Sequence, residues 1–194
     1  MVTRFTNNYN FLADPKTGVT LRWGNTIKDN PILAPVPELA DISISNHCTK
    51  GCSFCYRNSK NNNEFMSLED YCFVLDSMQH NELGGVFQVA IGGGEPLEHP
   101  NFMEIINATI GRSIIPNFTT NGIHLSENIC KAISGKVGAV ALSISKIEEL
   151  NPNTISMLIR NNIRTNIHYV LSRKNIEEAI QILEGRYNDC FKGI

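Results

Sequence analysis

From residue 39 onward the hydrophobic pattern switches repeatedly between two periods. Five short runs, at 40–45, 86–91, 114–119, 137–143 and 165–171, have strand length and a largely apolar or alternating character. Each is followed by a stretch whose apolar residues recur at helical spacing. In the first such stretch Leu68, Tyr71, Cys72, Leu75 and Met78 share a face, Ser67 is the N-cap with Asp70 at N3, and Met66 with Tyr71 forms a staple. The second helix covers about 100–110, with Gly111 as its stop. The third runs from Ser126 to Gly135, and the fourth covers 152–160 and closes at Asn161-Asn162. The fifth is capped by Asn175 with Glu178 at N3, and presents Ile176, Ala179, Ile180 and Leu183. Pro116 cannot donate to a ladder, so a bulge is expected there. Five β-α units of this kind predict a parallel sheet covered by helices.

Residues 1–38 read as an extension of this unit. Strands at 10–13 and 19–23 flank the turn 14–18, where Pro15 and Gly18 suit a hairpin. The Pro-rich stretch 31–37 serves as a linker, and the β-α unit occupies 39–194.

Composition narrows the function. The 194 residues carry 17 basic and 19 acidic side chains, for a net charge of −2, which argues against nucleic acid or an anionic membrane held by bulk charge. No run approaches the roughly 18 apolar residues of a membrane span, and the N-terminus has no signal-peptide core. A cytoplasmic location follows as an expectation, and there clustered cysteines imply metal or redox chemistry rather than disulfides.

Three of the six cysteines stand together as Cys48-x3-Cys52-x2-Cys55. Three thiolates on one loop suit three irons of a [4Fe–4S] cluster. With no fourth cysteine in register, one iron is left open to a small-molecule ligand. A structural zinc site is the competing reading, with His47 as a fourth ligand. Cys72 and Cys130 fall in helical patterns and Cys190 near the end, and all three read as inert. Tyr56, after the third cysteine, reads as a packing residue of the loop.

The cysteine loop follows the first strand of the β-α unit, Gly92-Gly93-Gly94-Glu95 follows the second, Asn121 the third and Ser145 the fourth. Ligands of parallel α/β sheets and barrels bind at the carboxyl ends of the strands. Glycines there permit close backbone approach.

The C-x3-C-x2-C loop with Phe54 before its third cysteine, Gly93-Gly94-Glu95-Pro96 and the β-α repeat together resemble the radical S-adenosylmethionine (radical SAM) superfamily over about residues 39–190. That resemblance implies an α/β fold, a partial (β/α) barrel with a [4Fe–4S] cluster at its mouth held by Cys48, Cys52 and Cys55. SAM would chelate the fourth iron, and reductive cleavage would yield a 5′-deoxyadenosyl radical that takes a hydrogen atom from the substrate. Gly93, Gly94 and Glu95 resemble the residues that meet the SAM amino group. Phe54 resembles the one beside adenine, and Ser145, or Ser143, the one at ribose or carboxylate. Asn121 carries over to the SAM region. His168 contacts SAM or substrate if its strand face lines the barrel, and is otherwise a satisfied core histidine. Arg160 or Arg164 is the arginine left to meet the SAM carboxylate. No catalytic residue beyond the cluster ligands is assigned.

The lead-in at residues 35–46 resembles the peptide-maturase branch, which implies a peptide substrate, with a flavodoxin or ferredoxin as electron donor. The family barrel has six strands, whereas this chain supplies five and reaches residues 190–194 where a sixth would begin. A cluster-binding regulatory module without SAM cleavage is the alternative that this raises.

Overall fold

The computed structural model describes residues 1–6, 8–15, 19–31, 33–79, 82 and 84–188. Three short strands come first: β1 (Val2–Phe5), β2 (Asn10–Ala13) and β3 (Thr20–Trp23) form an antiparallel sheet in that order. The sequence reading gave the β2–β3 hairpin and missed β1, whose register pairs Val2 with Ala13 and Phe5 with Asn10. Residues 16–18 of the predicted turn at 14–18 lie outside the described residues, as do Cys190 and the predicted start of a sixth strand. The small sheet packs on the barrel through Tyr9, Phe11, Ala13 and Phe87, with the Phe11 and Phe87 rings 5.7 Å apart and edge-on.

The remaining strands are β4 (Leu39–Ser45), β5 (Gln88–Gly93), β6 (Ile115–Thr120), β7 (Val140–Ile144) and β8 (Thr165–Tyr169). They form one parallel sheet in sequence order. Helices α1 (Leu68–Ser77), α2 (Phe102–Gly111), α3 (Glu127–Ile133), α4 (Pro152–Arg160) and α5 (Ile176–Leu183) alternate with them. Ile42, Ile44, Val89, Ile91, Phe118, Val140 and Leu142 pack against Tyr71, Leu75, Ile105, Ile106, Ile133 and Leu158 in a single core. Each large side chain of this kind, once buried, stabilises by about 1.5–3 kcal/mol. The opposite sheet face carries Asp41, Ser43, Gln88, Asn117, Thr119, Ser143, Asn166 and His168, none of which is buried. The α/β partial-barrel fold is thus present, with a polar inner face.

Several local expectations are corrected. Pro116 causes no bulge, since β5 and β6 stay in register from Gln88–Ile115 to Ile91–Phe118. Its carbonyl accepts from Gly138, and β7 pairs only from Phe118 onward, so the missing N–H lies beside no strand. The irregularity falls between Ser43 and Ser45 instead. α2 does end at Gly111, but the left-handed residue beyond it is Ser113, with φ +59°. The Asn175 side chain makes no capping bond to α5, although the residue's backbone carbonyl accepts from Ala179 N–H. Its amide joins the carbonyls of Ser145 and Val170, while Glu178 accepts from Ile147 N–H and the Tyr169 hydroxyl. The predicted apolar face of α5 stays open: Ile176 and Ile180 are about half exposed and Leu183 more so. Ser67, by contrast, caps α1 as expected, accepting from Asp70 N–H at 3.0 Å.

A bidentate pair joins α1 to α2, with Arg112 Nε 2.5 Å from Asp76 Oδ1 and Nη2 2.8 Å from Oδ2. The Arg112 guanidinium holds the Asp76 carboxyl below its ordinary 3.8. A carboxylate with a depressed folded-state pKa stabilises above its unfolded value, and that contribution is lost as pH falls through the folded one. Asp76→Asn is therefore expected to lower stability at neutral pH and to lessen the further loss below the ordinary value. Urea midpoints followed from neutral pH down to about pH 2 check this.

Candidate metal and cofactor site

The cysteine loop leaves β4 and returns to it. Asn46 N–H donates to Glu64 O, Cys48 N–H to Lys60 O and Met66 N–H to Ile44 O, which closes the excursion at its base. Within it Cys55 N–H donates to Cys52 O at 3.1 Å, and Asn58 N–H to Cys55 O at 3.0 Å. All three thiols of the motif are partly exposed. Burial pushes the Cys55 thiol up, but the N–H groups of Ser59, Arg57 and Asn58 and the Ser59 hydroxyl outweigh it and leave its pKa below the ordinary value. Cys52 is raised, first by burial; Lys50 opposes this, and Cys48, Cys55 and Glu149 add to it. The three thiols are thus electrostatically coupled, and one already sits among N–H donors that suit a thiolate.

The glycine turn is built against this loop. Gly93 has φ +116°, and a Cβ there would strike the Ser45 carbonyl. A Cβ on Gly94 would fall on the His47 carbonyl. Gly94 N–H donates to Ser45 O at 2.7 Å and Glu95 N–H to His47 O at 2.9 Å, which carries the β4–β5 pairing up to the first cysteine. The sequence reading gave these glycines to ligand approach. The structure adds chain approach as a demand on Gly93 and Gly94, and leaves at Gly92 one ordinary contact, Asp41 Oδ1 at 3.9 Å from its would-be Cβ.

Glu95 is 2% exposed. Its carboxylate accepts from the Thr120 hydroxyl at 2.7 Å, Asn121 N–H at 2.8 Å and Leu97 N–H at 3.1 Å, and so clasps the end of β5 to that of β6. Burial raises its pKa, and the three hydrogen bonds oppose that shift. The Asn121 side chain accepts from Ile123 N–H, and Gly122 follows at φ +80°.

Two further carboxylates, which the sequence reading did not single out, fasten the loop. Glu98 accepts from Thr49 N–H at 3.0 Å, the Thr49 hydroxyl at 2.5 Å, His47 Nε2 at 3.1 Å and His124 Nε2 at 2.8 Å. Since His47 Nδ1 accepts from Asn63 N–H at 3.0 Å, its proton lies on Nε2, and neither ring nitrogen is left to ligate zinc. Glu149 accepts from Ser145 N–H at 3.0 Å and Ser145 Oγ at 2.6 Å, and pairs with Lys50. The available signal was spacing: Glu98 lies one short turn after Glu95, within the 3-10 segment Pro96–Glu98.

Phe54 is 53% exposed at the loop. Tyr56 is 91% exposed, so it does not pack there as expected. Ser143 and His168 are register partners on β7 and β8. His168 is exposed on the inner face and is not a core histidine; with Asn117, Thr119, Ala141 and Asn166 it lines a cavity of about 440 Å³. Arg164 borders the same cavity at the amino end of β8, and Arg160 is bonded to Glu127.

A cysteine loop bonded to a glycine–glutamate turn, at the carboxyl edge of a parallel β-α sheet, defines an α/β barrel protein with three thiols at its mouth. The family model of the radical SAM superfamily matches residues 42–184. The chain belongs to that superfamily. It is 33% identical over 114 residues to the probable GTP 3′,8-cyclase of Methanocaldococcus jannaschii, a match covering 57% of this chain and 36% of that protein. It is 23% identical over 187 residues to the sporulation killing factor maturation protein SkfB of Bacillus subtilis, covering 85% and 45%. Streptococcus suis SuiB, solved with S-adenosylmethionine and with its precursor peptide SuiA, superposes with a TM-score of 0.62 at 21% and 22% identity. In the SAM-bound structure the match covers 77% of this chain and 37% of that one, and it shows the fold. The chain spans less than half the length of these relatives.

The residues present fit the cluster that the family implies. Among the described residues no three His, Cys, Asp or Glu side chains crowd around one point as ligands of a single ion would. A [4Fe–4S] cluster asks for something else, one thiolate on each of three irons. Three coupled thiols, with N–H donors already gathered at Cys55, match that demand. Among the described residues no helix is long and apolar enough to cross a membrane.

Proposed function

We propose that this chain is the catalytic barrel of a radical SAM enzyme that cleaves S-adenosylmethionine reductively and abstracts hydrogen from a peptide. The observation that carries this reading is the direct bonding of Ser45 and His47, at the root of the cysteine loop, to Gly94 and Glu95, which holds loop and glycine turn as one body. The cluster and SAM, when bound, supply the one-electron chemistry.

The protein's own part is to hold and orient. Cys48, Cys52 and Cys55 ligate three irons. The glycine turn offers backbone carbonyls to the SAM amino group, while the Glu95 carboxylate keeps that turn in place through Thr120 and Asn121. Phe54 lies beside adenine, Ser145 or Ser143 serves the ribose, and Asn121 belongs to the SAM region. His168 meets SAM or substrate from the inner face. On that face the Asn117 amide already donates to the Gln88 side chain, and Asn166 is exposed and able to pair with a peptide backbone. The sporulation killing factor maturation protein SkfB, as a relative, supports a peptide as substrate. A flavodoxin or ferredoxin in the cytoplasm supplies the electron.

Anaerobic reconstitution should give a [4Fe–4S] EPR signal that changes when SAM is added, and 5′-deoxyadenosine on adding dithionite. A complete cluster whose spectrum ignores SAM would sink this reading.

A further inference from the structure

The two carboxylates that fasten the cysteine loop differ in kind. Glu98 is enclosed, with a side chain only 7% exposed, and every contact it makes is a bond within the fold. Glu149 is 28% exposed, and Lys50 Nζ, itself on a 24% exposed side chain, lies 2.7 Å from its Oε2. Lys50 belongs to the loop after β4 and Glu149 to the turn after β7. Strands β5 and β6 lie between them, so this ion pair reaches across the carboxyl ends of the strands. Lys50 stands two residues before Cys52 and two after Cys48, within the cysteine loop itself.

A ligand that completes the cluster must bring its amino-acid end to this place. The arginines expected for its carboxylate are elsewhere: Arg160 is engaged with Glu127, and Arg164 stands at the amino end of β8. We propose that Lys50 is the cation that receives the α-carboxylate of SAM, and that Glu149 is a resident carboxylate which SAM displaces. This deepens the radical SAM reading and rests on it.

The exchange conserves what it breaks. One carboxylate replaces another on Lys50, so the ammonium keeps its charge partner. Glu149 loses only the contact at Oε2, because Oε1 retains Ser145 N–H and Oγ. A part-exposed ion pair of this type is weak, and is opened readily by a ligand anchored elsewhere. Lys50 is then a specificity residue for the cofactor's carboxylate, and Glu149 sets how tightly the cofactor competes for it.

The test uses the full reconstituted chain and equilibrium dialysis of SAM and of its decarboxylated analogue. Relative to wild type, Lys50→Met should lower the preference for SAM over the analogue by on the order of tenfold, through weaker SAM binding alone. Lys50→Arg should restore much of it. Glu149→Gln keeps an oxygen for Ser145 but no charge, and should tighten SAM several-fold without affecting the analogue. Added to Lys50→Met, it should do nothing. Iron and sulfide per chain should match wild type in each variant. An unchanged preference in Lys50→Met, or weaker SAM binding in Glu149→Gln, overturns the exchange while leaving the radical SAM reading intact. A fully loaded wild-type protein that binds neither compound overturns both.

Discussion

Gly94→Ala is expected to destabilise the chain by about 3 kcal/mol or more and to cut iron uptake sharply, while Gly92→Ala stays within about 1 kcal/mol of wild type. The two glycines are near neighbours with opposite surroundings. A Cβ on Gly94 would coincide with the His47 carbonyl, which is backbone and cannot rotate away. The turn and the root of the cysteine loop would have to separate, breaking the Gly94–Ser45 and Glu95–His47 bonds that join them. The Cβ on Gly92 meets only Asp41 Oδ1 at 3.9 Å, an ordinary contact. Gly92 also lacks a positive φ, so alanine adds no backbone strain. Urea midpoints of the two variants, with iron counted after reconstitution, check this. Equal midpoints would mean that the turn and loop are not packed as described.

The second large effect concerns the thiols. Cys48→Ala, Cys52→Ala or Cys55→Ala should each reduce reconstituted iron to near background with little change in the unfolding midpoint of the iron-free protein. All three side chains are part-exposed, and their removal opens no core cavity. Cys130→Ala should do the reverse. That side chain is fully buried among the core residues, so its loss should cost about 1 kcal/mol of stability and leave iron uptake unaltered. Iron per chain set against the unfolding midpoint separates the two classes of cysteine. Iron retained in Cys55→Ala would exclude that thiol as a ligand.

Much of this was legible in the chain. The five strands, the five helices and their alternation follow from periodicity, because residues buried on one face must recur at the period of their element. The matching of Cys48, Cys52 and Cys55 with the glycine turn also needed only residue order, since consecutive parallel strands place their following loops on one edge. What stayed hidden was set by long-range partners. Pro116 is harmless because β7 begins late, a fact about residues some twenty positions away. Asn175 forgoes helix capping for the Ser145 and Val170 carbonyls, which only the folded loop supplies. Glu98 looked like one acidic residue among many until Thr49, His47 and His124 converged on it. Tyr56 misled for the opposite reason, since an aromatic ring suggests packing even where the fold leaves it in water.

The fastening of the cysteine loop has a consequence for assembly. Its base is closed by Asn46, Cys48, Lys60 and Met66 backbone bonds, and its flanks by Glu98 and Glu149, none of which involves iron. Small zinc domains collapse when stripped because their metal is their core. Here every bond that fastens the loop is between protein groups. Those bonds should outlast the metal, so chelating a loaded chain is expected to leave a folded protein that takes up iron again.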